Sequence, residues 1–251
     1  MNPSPYPVPF TSAHVRARIV KILLIAGAVL TCISLFAEVL SLGFPLLGED
    51  QDVGDNPVGA ALMLLIFLLA MLELLIYVST VIFFCVWLYR AADNLVAFNP
   101  WSRTDYSPGW SVGSFFVPFV NLVVPYRAVK EVWQKSATAD DLLLSTPGAP
   151  AIFPIWWLFW LLASFAGNIS MRVSFNENVP ERTATIISIG ASALFIVASV
   201  CAYLVVDAID KKQEEAARKV KLGKFAEPPL PQPMPNVLAP VTDPNYSQQT
   251  S

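Results

Sequence analysis

One carboxylate stands alone inside a long apolar run: Glu73, in LLAMLELLIY. A carboxylate at the middle of a bilayer costs a few kcal/mol, on the order of 3. Such a residue either finds a polar partner in the bundle or lines a path for ions or protons. Asn168, or a serine of another apolar run, is the expected partner. A second polar set is Arg90, Asn94, Asn121, Arg127 and Glu131. Arg90 and Asn94 are four residues apart and share a helix face, and Arg127 and Glu131 repeat that spacing. Such a group can bind an anion or a lipid headgroup, or it can lock elements together as a polar network. Glu38, near the end of the first apolar run, is expected to reach water.

Other chemistry finds little support. His14 lies in a basic flank with no ligand at metal spacing. Cys32, Cys85 and Cys201 each sit inside an apolar run, which suits small buried hydrophobes better than a disulfide framework or zinc site. The NIS triplet at Asn168 lies beside an apolar run and reads as accidental. No nucleophile elbow, phosphate loop, HExxH or paired acid is present, so no catalytic residue, metal or cofactor is assigned.

The elements that hold these residues are dictated by composition. The chain of 251 residues is 55% hydrophobic and 14% charged, against roughly 25% charged in soluble domains. Its apolar residues gather in four runs, near 19–40, 60–89, 152–171 and 185–206. Each is long enough at about 1.5 Å per residue to cross a core of about 30 Å. The first run is too long for a cleaved leader and reads as a retained anchor. Pro154 is tolerable in the opening turn of the third run, and Trp156, Trp157 and Trp160 suit an interfacial belt. Small residues in the fourth, including Ser188, Ser192, Ser199 and Ala202, allow close helix contact.

Basic residues set the orientation. Fourteen of the 16 Lys and Arg fall in the N-terminal flank, the segment between runs two and three, and the C-terminal flank. The other two, Arg172 and Arg182, follow run three. The positive-inside rule then puts both termini and the central segment in the cytoplasm. A formal charge of −3 offers no basic face for nucleic acid.

Outside the 18–210 membrane domain, residues 1–17 and 226–251 are proline-rich and expected to be disordered. Pro228 and Pro231 form a minimal PxxP that a protein partner could dock. Residues 211–225 read as a charged helix in water, with Glu214 and Arg218 spaced for an ion pair.

The block 107–135, SPGWSVGSFFVPFVNLVVPYRAVKEVWQK, breaks the pattern. Ser107 can cap a helix with Pro108 at its first position. Pro118 and Pro125 then interrupt a stretch too short for a straight crossing. A broken helix at membrane depth needs its carbonyls satisfied, and Asn121 is placed to help. After Pro125 an amphipathic helix follows, with Val129, Val132 and Trp133 on its apolar side. The fold expected is all-α: four transmembrane helices with a cytoplasmic-side interfacial or re-entrant helical hairpin between the second and third. A fifth crossing would move six basic residues outside.

Three blocks carry a resemblance: WLYRAADNL at Trp87–Leu95, SPGW at Ser107–Trp110, and FFVPFVNLVVPYRAVKEVW at Phe115–Trp133. In order and spacing they resemble a bacterial membrane family catalogued as domain of unknown function 4328. The family pattern falls on Trp87, Tyr89, Arg90, Asn94, Pro108, Gly109, Trp110, Phe116, Pro118, Asn121, Leu122, Pro125, Tyr126, Arg127, Glu131 and Trp133. The resemblance implies a multi-span protein of the bacterial inner membrane and no particular reaction. Three functional classes stand open: a non-enzymatic scaffold, sensor or regulator of a membrane partner, a small-solute or ion transporter using Glu73, and a lipid-headgroup binder or enzyme. Membrane lipids are the first partners expected.

Overall fold

The computed structural model describes residues 10–43, 57–98, 103–137 and 148–223. The C-terminal tail from 224 onwards, with Pro228 and Pro231, lies outside the described residues. The described chain is helical, with no strand. Four helices are long and apolar enough to cross a membrane: α1 (His14–Gly43), α2 (Pro57–Asp93), α6 (Ile152–Ser174) and α7 (Glu181–Gly223). Between α2 and α6 lie three short helices, α3 (Leu95–Phe98), α4 (Pro108–Gly113) and α5 (Val124–Lys135).

The long helices follow from uninterrupted apolar sequence. In α2 no proline follows Pro57, which stands at the first position where its missing N–H costs nothing. Its 37 residues extend about 55 Å, well beyond one hydrocarbon core. Helix α7 runs unbroken from the apolar residues 185–206 into the charged segment. In α6, Pro154 stands in the opening turn.

Helix α7 packs along α6 and α1, and α1 packs against α2. The buried core is confined to one end of this bundle. Ala17 and Val20 of α1, Trp87 and Leu88 of α2, Phe153 and Trp156 of α6, and Val205, Val206 and Ile209 of α7 meet there. At the other end the apolar side chains of α2 from Met63 to Leu75 are mostly exposed.

Within 1–17, expected to be disordered, the residues from Phe10 on are ordered. Phe10 packs against Phe98 with ring centroids 5.3 Å apart. The Thr11 N–H donates to Asn94 Oδ1 at 3.4 Å, and Ser12 Oγ donates to Glu214 Oε1 at 2.5 Å. That last bond also revises the expected Glu214–Arg218 ion pair, which is not formed among the described residues.

The central block wraps against α2 and α6. Trp110 N donates to Ser107 Oγ at 3.2 Å, and Pro108 opens α4. Two short 3-10 turns, Ser114–Phe116 and Val120–Leu122, join α4 to α5. Between them Val120 N donates to Pro118 O at 2.8 Å across Phe119, whose φ is 64°. This is a γ-turn of the strained hand, and it holds the Phe119 side chain 86% exposed.

Phe115 keys the block in place. Its ring lies 5.8 Å from Phe84, 6.1 Å from Trp157 and 6.2 Å from Trp160, all edge-on. Trp156 and Trp157, two of the three tryptophans expected in an interfacial belt, are only 2% and 6% exposed. The freed Leu122 carbonyl accepts from Trp157 Nε1 at 2.9 Å. The indole does what Asn121 was expected to do, because α6 brings it directly beneath the break.

Phe115→Ala should lower stability by about 2–4 kcal/mol, measured by reversible unfolding in micelles. Phe119→Gly should raise it by about 1 kcal/mol, since glycine adopts positive φ without penalty.

Candidate functional site

The polar residues concentrate at the end where α1 begins, α2 ends, α6 begins and α7 turns charged. Asn94 follows the last turn of α2 and is buried. Its Nδ2 donates to Thr11 O at 3.0 Å and to Gln213 Oε1 at 3.3 Å. Gln213 is 3% exposed, and its Nε2 donates to Ala91 O at 2.7 Å and Ser136 Oγ at 3.1 Å. Ser136 in turn donates to Val132 O. One buried chain of hydrogen bonds thus ties the N-terminal segment, α2, α7 and the end of α5.

Glu131 does a different job. Its Oε1 accepts from Asp105 N at 2.7 Å and its Oε2 from Tyr106 N at 3.2 Å. Lys135 pairs with the same carboxylate and donates to Arg103 O. The residue is 7% exposed. It clamps the segment 103–106 to α5 and so presents the Ser107–Pro108 turn.

Arg90 pairs with Asp93 at 2.6 Å, while its Nε is buried without a hydrogen-bond partner. Arg127 is exposed, and neither it nor the Asn121 side chain bonds another described residue. The five residues of the expected cytoplasmic site therefore do not converge. Arg90, Asn94 and Glu131 bond to separate partners rather than into one pocket. Among the other family positions, Trp87 is fully buried and Pro125 nearly so. Trp133 packs against Phe153 with ring centroids 5.7 Å apart and carries Lys212 Nζ 3.6 Å above its ring. Tyr126 lies under Lys130 at 6.0 Å. Pro118 sets the γ-turn, Trp110 is half-exposed, and a Cβ on Gly109 would meet nothing within 4 Å.

An ion-pair group joins α1 to α7. Lys21 Nζ lies 2.9 Å from Asp207 Oδ1 and 3.3 Å from Asp210 Oδ2. Lys211 holds the other oxygen of Asp207 at 2.6 Å. His14 Nδ1 meets Asp210 Oδ2 at 2.9 Å. Asp207 and Asp210 were missed as site residues, although two acids closing an apolar run, DAID, were a visible signal. Gln213 gave none.

Toward the other end, Glu73 Oε1 accepts from Ser34 Oγ of α1 at 2.7 Å. The partner is a serine of another helix and not Asn168, whose Nδ2 donates to Ser164 O of its own helix. Glu38 was expected to reach water. Its Oε1 instead accepts from Ser188 Oγ of α7 at 2.7 Å, and its Oε2 is buried without a partner. Ser34 and Glu38 are one turn apart on α1, so one stripe of that helix bonds both neighbours.

The blocks that make the Glu131 clamp, the γ-turn and the Asn94 anchor lie inside residues 56–211, which match the family model described as domain of unknown function (DUF4328). The chain belongs to this family. Its matched region covers α2 through the first ion-pairing residues of α7 and leaves α1 outside. No curated protein matches the chain, and no solved structure does.

Gln213→Leu should cost about 2–4 kcal/mol, because it strands Ala91 O and two side chains in a buried site. Glu131→Ala should cost about 2–3 kcal/mol through the lost charge-assisted bonds. Arg127→Ala should stay within about 0.5 kcal/mol. Tryptophan fluorescence during unfolding in micelles reads all three.

Proposed function

We propose that the protein is a non-enzymatic multi-pass protein of the bacterial inner membrane that scaffolds, senses or regulates a membrane partner. In this reading both termini and the 107–135 block face the cytoplasm, and the block dips into the bilayer as a hairpin. The observation that carries it is the use made of the polar residues. Asn94, Glu131 and Gln213, the groups best suited to chemistry, each spend their hydrogen bonds holding one chain segment to another. An enzyme would keep such groups open toward a substrate. A headgroup-binding reading loses support for the same reason.

The dipping hairpin is supported by depth along the helices. Phe84, beside Phe115, lies six residues before Arg90, about 9 Å along the axis. Trp160 lies eight residues into α6, about 12 Å. The charge distribution supports the sidedness, and the proline-rich tail supplies a sequence that a cytoplasmic partner could read.

A second reading, ion or proton transport, draws support from Glu38. To Glu73 of α2 it adds a second carboxylate, one turn from Ser34 on α1, with one buried oxygen unpartnered. Glu73→Gln and Glu38→Gln should leave flux in proteoliposomes unchanged if the protein is a scaffold, and a tenfold loss would favour transport.

Thiol mapping tests the topology. In a background lacking Cys32, Cys85 and Cys201, Phe119→Cys should resist a membrane-impermeant maleimide from either side. Ser4→Cys and Gln249→Cys should react only from the cytoplasmic side. Truncation at Glu227 should release a co-purifying partner bound by the tail, and an unchanged set of partners would remove the tail from the proposal.

A further inference from the structure

The described residues bury apolar side chains in two separate clusters. The larger is the core at the polar end of the bundle. The smaller stands apart from it and consists of Phe98 of α3 with Ala216 and Ala217 of α7. Phe10 packs against it from the short segment Phe10–Ser12 ahead of α1.

That segment is held as a bound peptide would be. The Phe10 ring lies 5.3 Å from that of Phe98. One side chain, Asn94, takes both backbone groups of Thr11. Its Oδ1 accepts from the N–H at 3.4 Å, and its Nδ2 donates to the carbonyl at 3.0 Å. A side-chain amide carries a donor and an acceptor side by side, so it can grip a backbone without reading the side chain between. Thr11 is indeed exposed. Ser12 Oγ then donates to Glu214 Oε1 at 2.5 Å. The site thus holds an aromatic ring, an unread residue and a hydroxyl, in that order.

The helices on either side have contacts of their own. Ala13 is buried in the main core with Ala17 and Val20. His14 and Lys21 tie α1 to α7 through Asp207 and Asp210. Asn94 Nδ2 also donates to Gln213, a bond that joins α2 to α7 without the segment. Thr11 and Ser12 are exposed, so residues before Ala13 can peel away without opening the core.

We infer that Asn94, Phe98, Glu214, Ala216 and Ala217 form a docking site for a peptide of a partner protein, and that Phe10–Ser12 occupies it as an internal competitor. The partner segment has the pattern aromatic, any residue, Ser or Thr. It offers a ring to bury, a free backbone N–H and carbonyl, and a hydroxyl for the carboxylate. Tethering decides which ligand wins. A segment joined directly to α1 acts at an effective concentration on the order of 1 mM or more. A dilute free peptide loses to it, whereas a partner held beside the site in the same membrane competes on similar terms. The inference deepens the reading of the protein as a regulator of a membrane partner and rests on it. The peptide measurement below needs neither that partner nor the tail, so the site and the reading can fail separately.

The test uses the full chain in micelles with the peptide Phe-Thr-Ser-Ala, acetylated and amidated. Saturation-transfer NMR reads its weak binding. Phe10→Asp and Thr11→Pro each release the segment, the first by removing the ring and the second by removing the N–H that Asn94 accepts. Either variant should bind the peptide about tenfold more tightly than wild type, because the tethered competitor is gone. One folded variant is enough, and tryptophan fluorescence checks folding. Exchanging the peptide's Phe for Ala should abolish the gain. Adding Glu214→Gln to a released variant should weaken binding about fivefold, through loss of the charge-assisted bond. Equal binding to wild type and the released variants would overturn the inference, as would equal binding of the Ala peptide. So would a wild-type dimer that Phe10→Asp converts to a monomer, which would make the site an exchange of N-terminal segments between two copies.

Discussion

The pairing of Asn94 with Gln213 is the constraint on which the polar end of the bundle depends. Four chain segments meet there: the N-terminal residues before α1, the end of α2, the end of α5 and the charged part of α7. The two side-chain amides bind Thr11, Ala91 and Ser136 in one buried chain. An amide offers donors and an acceptor on one short stem, so it can bridge segments that approach from opposite sides. Once α2 and α7 are joined in this way, α5 has a fixed wall to pack on. Val129 and Val132 then enter the same core as Val205 and Ile209.

From that joint the rest of the central block follows. Glu131 on α5 pins the segment before Ser107, and Ser107 starts α4 against α2. Phe115 then falls between Phe84 and the α6 tryptophans. The two prolines open the helix between these fixed points, and Trp157 takes up a carbonyl left by the break. Strain is concentrated at Phe119, where the turn reverses and no other described residue covers the ring. A backbone this irregular is stable because both of its ends are anchored by buried contacts.

The far end of the bundle is built on a different principle. Among the described residues α1 supplies the polar links there, through Ser34 to α2 and Glu38 to α7. The apolar side chains around them stay largely uncovered. Hydrogen bonds between helices hold register where apolar burial cannot. An open apolar groove between α1 and α7 is a consequence of this sparse packing: small residues such as Ala28 and Ser199 leave space between two helices already tied at both ends.

Much of this was legible in the residues. Four apolar runs, the Ser107 cap, the breaks at Pro118 and Pro125, and the family blocks were all readable, because polarity, period and proline geometry are properties of neighbouring residues. Partner choice was not. Glu73 took a serine, one of the two partner types expected, but which serine was not readable; Glu38 met Ser188 and not water, and Trp157 is buried in the bundle. Each outcome depends on how far one helix is rotated and slid against another. That rotation is settled by contacts such as Asn94 with Thr11 and Gln213 with Ala91, 83 and 122 residues apart. By itself the sequence determined which segments are helices and which of them are apolar enough to leave water. Only the tertiary structure decided which polar groups meet, since each bond depends on the joint packing of all four long helices.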